Sequence, residues 1–375
     1  AFNEAILQYS AERRPRTPNT TLIPESVIYG FRASFGQKSY LPNKLDEDRF
    51  QLIDNFTYYM GNHTLKGGIN FDFVSYDNVF LYYGYGYYTF NDWDDFFEGD
   101  AGNYRQAFSA TDGAIVFDID YYSFYLQDEW RPSNNLTLTY GLRYDLQDNP
   151  TPDMSNPNYE DTAYIPNDTN NWSPRIGFAW DISGDGKSVL RGGLGRFYDN
   201  TPALTLSNAM NDNGVRTLTL YQRCYRGDEC PTYPDTWNSP GDLGGGGSPS
   251  IKVVAPDFES PETTRISLGF EREVFRDVSF GVDVIYSESE KLFRSQNQNV
   301  TPTGGTTVDG LTMYEEGEAY PDFGEINQYT SDIPTDYTAI VLKANKRYSN
   351  GWMLNTSYTW SEANDSDSNE RATTA

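Results

Sequence analysis

Along most of this chain hydrophobic and polar residues alternate at period two, and stripes at helical spacing are scarce, which is the primary signature of half-buried strands. Leu136, Leu138, Tyr140, Leu142 and Tyr144 share one face, with Thr137, Thr139, Gly141, Arg143 and Asp145 on the other. The same division separates Val278, Phe280, Val282, Val284 and Tyr286 from Ser279, Gly281, Asp283 and Ser287, and Leu354, Thr356, Tyr358 and Trp360 from Asn355, Ser357, Thr359 and Ser361. The pattern predicts about twelve strands: 1–12, 26–35, 49–60, 64–75, 118–130, 136–145, 172–182, 188–198, 263–274, 278–288, 337–347 and 352–362. Each has about the length that spans a bilayer when tilted.

The connections sort by length. Short turns are expected at 61–63, 131–135, 183–187, 275–277 and 349–351, with a somewhat longer one at 13–25. Between them lie the long segments 36–48, 76–117, 146–171, 199–262 and 289–336, and a tail, 363–375. A soluble two-sheet sandwich has no reason to gather its short turns at one end, whereas an outer-membrane β-barrel has short periplasmic turns and long outer loops. The fold class expected is therefore an all-β, antiparallel transmembrane barrel wall, apolar face to lipid and polar face to lumen. Trp130, Trp352 and Trp360 would suit the aromatic girdles.

Charge sharpens this division. The chain has 375 residues with 54 Asp+Glu against 28 Lys+Arg, a formal net charge of −26. The long segments and tail carry 36 acidic and 10 basic residues, while the predicted strands and short turns carry 18 of each. Outer loops in water can hold such an excess without a desolvation cost. A chain this acidic, lacking a Lys/Arg stripe, is not a nucleic-acid binder. Aromatic residues at 16% argue against disorder. No run reaches the 18 or so apolar residues of a transmembrane helix. One histidine and two cysteines leave little scope for histidine-based catalysis, a four-cysteine zinc site or a disulfide-built scaffold.

Particular stretches carry a resemblance. Tyr121-Tyr122-Ser123-Phe124-Tyr125-Leu126-Gln127-Asp128-Glu129-Trp130-Arg131-Pro132, followed by Asn135-Leu136-Thr137-Leu138-Thr139-Tyr140-Gly141-Leu142-Arg143-Tyr144-Asp145, resembles the hairpin of TonB-dependent outer-membrane receptors in which a "QDxW" strand meets an "LxxGLRYD" strand. More narrowly, His63 to Gly68, Ser173 to Trp180, Leu190 to Asp199, and Lys346-Arg347-Tyr348 followed by Leu354 to Ser361 are similar to the Oar-like group. The resemblance implies a 22-stranded barrel closed by an N-terminal plug and energised through TonB. It begins mid-barrel, so the chain is expected to be one part of that barrel, with plug and TonB box outside this sequence.

Cys224 and Cys230 enclose five residues of the longest outer segment. An oxidising compartment would permit a disulfide stapling it; two free thiols are the alternative. Arg226-Gly227-Asp228 spells an adhesive tripeptide at a frequency chance explains. Asp92, Asp94, Asp95, Glu98 and Asp100 concentrate carboxylates in one outer segment, and Asp365, Asp367, Asn369 and Glu370 do so in the tail. Either could gather the oxygen ligands of Ca²⁺, with a solvated acidic loop as the bland alternative. The tail cluster has the spacing of an EF-hand start, with Glu370 where its glycine belongs. Gly184-Asp185-Gly186 reads as turn chemistry, His63 as a turn residue, and Gly244 to Gly247 as a loop apex lacking the lysine and helix of a phosphate-binding loop. Lumen-facing Arg143, Arg175, Arg191 or Arg196 and Asp181, Asp283 could pair across neighbouring strands, satisfying charges inside the barrel. No pair of carboxylates is marked out for catalysis, and no enzyme is expected.

The function expected from the resemblance is outer-membrane transport of a bulky substrate such as a peptide, protein or oligosaccharide, needing no cofactor. Segments 76–117, 199–262 and 289–336 would capture or gate it. The partners would be outer-membrane lipid, TonB acting on the plug, and a surface accessory protein. The rival is a β-rich surface interaction protein whose acidic loops bind partners or Ca²⁺.

Overall fold

The computed structural model describes residues 1–224, 230–243, 248–308, 310–316 and 319–366. Eleven long strands form one antiparallel meander: β1 (Phe2–Arg16), β2 (Asn43–Met60), β3 (His63–Phe80), β4 (Ala114–Ser133), β5 (Leu136–Asp148), β6 (Trp172–Asp181), β7 (Ser188–Tyr198), β8 (Glu262–Phe275), β9 (Val278–Asn297), β10 (Ile326–Ser349) and β11 (Trp352–Asp365). Each pairs with its neighbours in sequence. A twelfth, short strand, Ile251–Val254, adds in parallel to the outer end of β10. β1 and β11 are free edges, so the sheet is open.

The register turns the period-two pattern into two continuous faces. Leu268, Val284, Ile340 and Trp360 line up across β8, β9, β10 and β11. All four are between 39% and 51% exposed, the outward apolar row that a lipid-facing wall requires. The opposite face carries the row Gln8, Gln51, Asp72, Tyr121 and Gln147 across β1 to β5. At the short turns, Trp130 and Trp352 sit beside the chain reversals at 61–62 and 350–351. Trp360 lies farther along, in the apolar row, and the outer aromatic belt is marked instead by the Tyr144–Trp172 pair, 4.7 Å between ring centroids. In the turn at 182–187, Gly184 and Gly186 adopt φ of +72° and +74°. Their N–H groups both donate to the Asp181 carboxylate, at 3.1 and 2.7 Å.

One predicted strand is corrected. The stretch 26–35 does not span the wall: Arg16 pairs with Asn43, so β1 runs directly into register with β2. The connection 13–25 is therefore no periplasmic turn, and 17–42 is one long outer connection. It enters a second, five-stranded sheet ordered Thr217–Arg223, Asn103–Ser109, Tyr87–Phe90, Glu25–Ile28, Ala33–Phe35, which buries Glu25, Ser26 and Ile28. Alternation reports a half-buried strand without saying which sheet buries it. With the boundaries so redrawn, the long connections 17–42, 81–113, 149–171, 199–261 and 298–325 carry 25 acidic and 7 basic residues. Most of the charge imbalance is thus still outside. Much of the remainder sits on the outer strand ends, at Asp46, Glu47, Asp48, Asp77, Asp332 and Asp336.

Candidate functional site: the capped outer mouth

Strands of 18 to 24 residues, such as β2, β3, β4, β9 and β10, are about twice as long as the roughly 9–11 residues a tilted strand needs to cross a bilayer. Their outer halves stand in water, and there the lumen face changes character. On β3 it passes from Asn70 and Asp72 to Val74 and Tyr76, and on β4 from Ser123 and Tyr121 to Ile119, Phe117 and Ile115. This apolar band is covered by two parts of the connection 199–261, residues 203–210 and 254–258. Helix α2 (Ala203–Asn211) presses Leu206, Ala209 and Met210 onto it, with Val254, Ala255 and Phe258 alongside.

Polar contacts fix the cap in place. Asn78 Nδ2 donates to Ser207 Oγ at 2.9 Å, Asn211 Nδ2 to the Phe80 carbonyl at 2.8 Å, and Gln147 clasps the Thr201 backbone, donating to its carbonyl at 3.1 Å and accepting from its N–H at 2.8 Å. The Lys252 ammonium reaches the Asp212 carboxylate at 2.7 Å. Burial by itself would lower its pKa, but Asp212 outweighs burial and the ammonium is held more firmly than usual. Arg216, almost wholly buried, pairs with Asp153. That hydrogen bond holds the Asp153 carboxyl below its usual range.

Beneath the cap the lumen face keeps its charges in local sets. Asp283 lies between Arg191, 3.2 Å away, and Lys343. Gly269 stands between β7 and β9 at this level, where a Cβ would come within 2.3 Å of the Asp283 carboxylate. Glycine is therefore required for the close approach. Arg143 pairs with Asp145 on its own strand at 2.8 Å, Arg196 reaches Glu262 at 3.5 Å, and Arg175 lies 4.3 Å over the Phe197 ring. Of the cross-strand pairs expected, the structure forms Arg191–Asp283, over the intervening β8; Asp181 caps its turn instead.

The second sheet stands over the mouth, its core being Ile28, Tyr88, Phe90, Ala101, Tyr104, Leu220, Cys224 and Trp237. Burial pushes the phenols of Tyr88 and Tyr104 up. The Tyr88 hydroxyl donates to the carbonyls of Asp235 and Pro231 at 2.6 and 3.0 Å, and that of Tyr104 donates to Gln106 at 2.7 Å. Cys224 and Cys230 form a disulfide within this core; Arg226-Gly227-Asp228 lies outside the described residues, as does Gly244 to Gly247. His63, beside its turn, is stacked on Trp130 and 2.6 Å from Asp128.

The acidic cluster 92–100 builds a short helix, α1 (Trp93–Glu98): Asp92 is its cap, accepting from the Asp95 N–H at 3.0 Å, and Asp94 and Asp95 occupy the first turn. Asp100 follows the helix beyond Gly99. Asp365 ends β11; Asp367, Asn369 and Glu370 lie outside the described residues. Among the described residues no three Asp, Glu, His or Cys side chains converge as a metal site. The cap itself is what sequence reasoning missed. Leu206, Ala209 and Met210 at i, i+3, i+4 were its only signal, inside a segment read as loop.

The whole arrangement is that of a membrane-spanning wall with a folded outer mouth, and comparison with known proteins agrees. Residues 3–375 match the outer membrane beta barrel domain family. The chain belongs to that family. This outer-membrane β-barrel chain is 22% identical over 362 residues to the TonB-dependent transporter Oar of Myxococcus xanthus, covering 84% of this chain and 31% of that protein. It thus spans about a third of the curated relative's length. Among solved structures it shares the fold of the outer membrane transporter YddB from Escherichia coli, with a TM-score of 0.56, 14% identity, and coverage of 96% of this chain and 40% of that one. It also shares the fold of the FrpB iron transporter (F3-3 variant) from Neisseria meningitidis, with a TM-score of 0.54, 12% identity, and coverage of 97% and 41%. The β-barrel chain is accordingly an outer-membrane protein, and its Oar-like motifs reflect homology.

Proposed function

We propose that this chain forms part of the wall and the gated outer mouth of a TonB-dependent transporter that moves a bulky substrate, such as a peptide, protein or oligosaccharide. The observation that carries the proposal is the cap. Two described parts of the outer connection, 201–212 and 251–258, fold back over the lumen face of the wall and hold to it by one apolar patch and a few polar clasps, an arrangement that suits an element able to be released. A pore that passed solutes freely would leave its mouth polar and open. The free edges of β1 and β11 support further strands in the complete barrel, because unpaired backbone groups are costly in lipid.

Under this proposal TonB acts on a plug encoded outside this sequence, lipid surrounds the apolar face, and a surface accessory protein is a further candidate partner. The test is to purify the complete gene product and measure binding of the periplasmic domain of TonB. Saturable binding, lost on deletion of the TonB box, is expected. A complete product that neither contains a plug nor binds TonB would refute transport in favour of a surface interaction protein.

A further inference from the structure

The outermost part of the second sheet displays a surface that the cap and lumen do not use. The rings of Phe31 and Phe35 each lie 5.7 Å from Trp93, and Phe97 stacks on Trp93 at 5.8 Å with 25° between planes. Phe96 ties the group inward through Phe90, at 5.3 Å. Phe97 is 76% exposed, and Phe31 and Tyr29 are each 60% exposed. Folding gains little from leaving such rings in water, and contiguous exposed apolar patches mark interaction sites.

Carboxylates flank Trp93 and Phe97 along the chain. Asp92, Asp94, Asp95, Glu98 and Asp100 fall within nine residues, with no Lys or Arg between 88 and 104. Asp92 and Asp95 have hydrogen bonds within the turn, whereas Asp94, Glu98 and Asp100 receive neither hydrogen bond nor ion pair from any described residue. The carboxylates are dispersed along and beyond α1 and do not converge. A hard cation needs convergent oxygen ligands. An organic cation does not: a guanidinium or ammonium can lie over an aromatic face with a carboxylate at its edge.

We infer that Phe31, Phe35, Trp93 and Phe97, with Asp94 and Glu98, form a docking surface for a basic peptide segment in which Arg or Lys alternates with apolar residues. Cationic side chains occupy the ring faces and pair with the free carboxylates, while apolar neighbours cover the exposed ring edges. The acidic field of the surrounding connections draws such a segment toward the mouth. The disulfide Cys224–Cys230, in the core beneath, helps to present the rings on a fixed platform. This inference rests on the transport reading only in placing the tip outside the cell.

The complete protein in detergent micelles would be titrated with a fluorescein-labelled nonapeptide of alternating Arg and Leu, and with Glu/Leu and Ser/Leu counterparts, at low and high salt. The Arg peptide is expected to bind at least about tenfold more tightly than either counterpart, as one or two cation–π contacts with ion pairing would give, and to weaken with salt. Asp94→Asn with Glu98→Gln is expected to reduce affinity several-fold and flatten the salt dependence. Phe31→Ala with Phe97→Ala, which alters exposed rings outside the buried core, is expected to reduce affinity at both salt concentrations. Equal binding of the three peptides, or wild-type affinity in both double variants, would overturn the inference. Because TonB is absent, failure here leaves the transport reading standing, and failure of TonB binding leaves this surface intact.

Discussion

The cap is predicted to open as a unit independently of the wall, and Leu206→Ala tests this. Leu206 is 1% exposed, packed in one cluster with Val74, Tyr76, Ile115, Phe117 and Ile119. Truncating a leucine so placed costs about 3 kcal/mol, within the range of 2–5 for large-to-alanine changes in cores. The remaining clasps, Asn78 to Ser207, Asn211 to Phe80 and Gln147 to Thr201, would be retained. If the cap opens locally, the loss falls on its opening equilibrium alone. At about 1.4 kcal/mol per decade, hydrogen exchange of amides in 203–211 and 251–255 should accelerate about 100-fold. Exchange followed by mass spectrometry on the complete protein in a lipid bilayer resolves these segments from β4 and β5. Leu204→Ala, at a position 57% exposed on the same helix, is the control and should change little. The reasoning fails if β4 and β5 accelerate by the same factor, which would make cap and wall one cooperative unit. It fails equally if the cap amides keep their protection.

Two further perturbations address the second sheet. Burial would raise the Glu25 carboxyl, but the Lys38 ammonium, the Ser39 N–H and the Ser34 hydroxyl outweigh it and hold Glu25 below its usual range. A carboxylate depressed in the folded state stabilises above its unfolded pKa, about 4.3 for Glu, and the contribution is lost as pH falls through the lower folded value. Cleavage by pepsin within 17–42 should therefore rise as pH drops below about 4; Glu25→Gln should be cut already above that pH, and an unchanged profile would refute the linkage. Replacing Cys224 and Cys230 by serine releases a closed loop of separation 6, costing the second sheet about 2.4 kcal/mol by loop entropy. Faster proteolysis of 87–109 and 217–223 with intact wall strands is the expected pattern, and equal loss of both would contradict it.

The wall was legible in the sequence because a barrel strand must satisfy two solvents at once. Lipid on one face and lumen on the other impose a strict period of two, and the short turns are confined by the need to reverse within a few residues. For the same reason ten of the twelve anticipated strands match wall strands within their middles, and 1–12 extends to become β1. The stretch 26–35 obeyed the same local rule yet belongs elsewhere, because alternation is set by half-burial and any sheet supplies it. Its error propagated to the neighbouring connections, turning an outer segment into a supposed short turn.

What the sequence by itself determined is the pair of faces, the sorting of turns from long connections, and the acidic character of the outer side. What only the tertiary structure decided is that the long connections fold: α2 onto the apolar outer band of the lumen face, and five short strands into a sheet with its own core and disulfide. These contacts join residues more than a hundred positions apart, such as Asn78 with Ser207 and Gln106 with Trp237. No local period encodes such a pairing, because its free energy comes from surfaces that exist only once the wall has formed. The carboxylates of 92–100 show the same division. Composition marked them as a cluster, and only the course of α1 showed that Asp92 and Asp95 serve its first turn while, among the described residues, no three of the carboxylates converge.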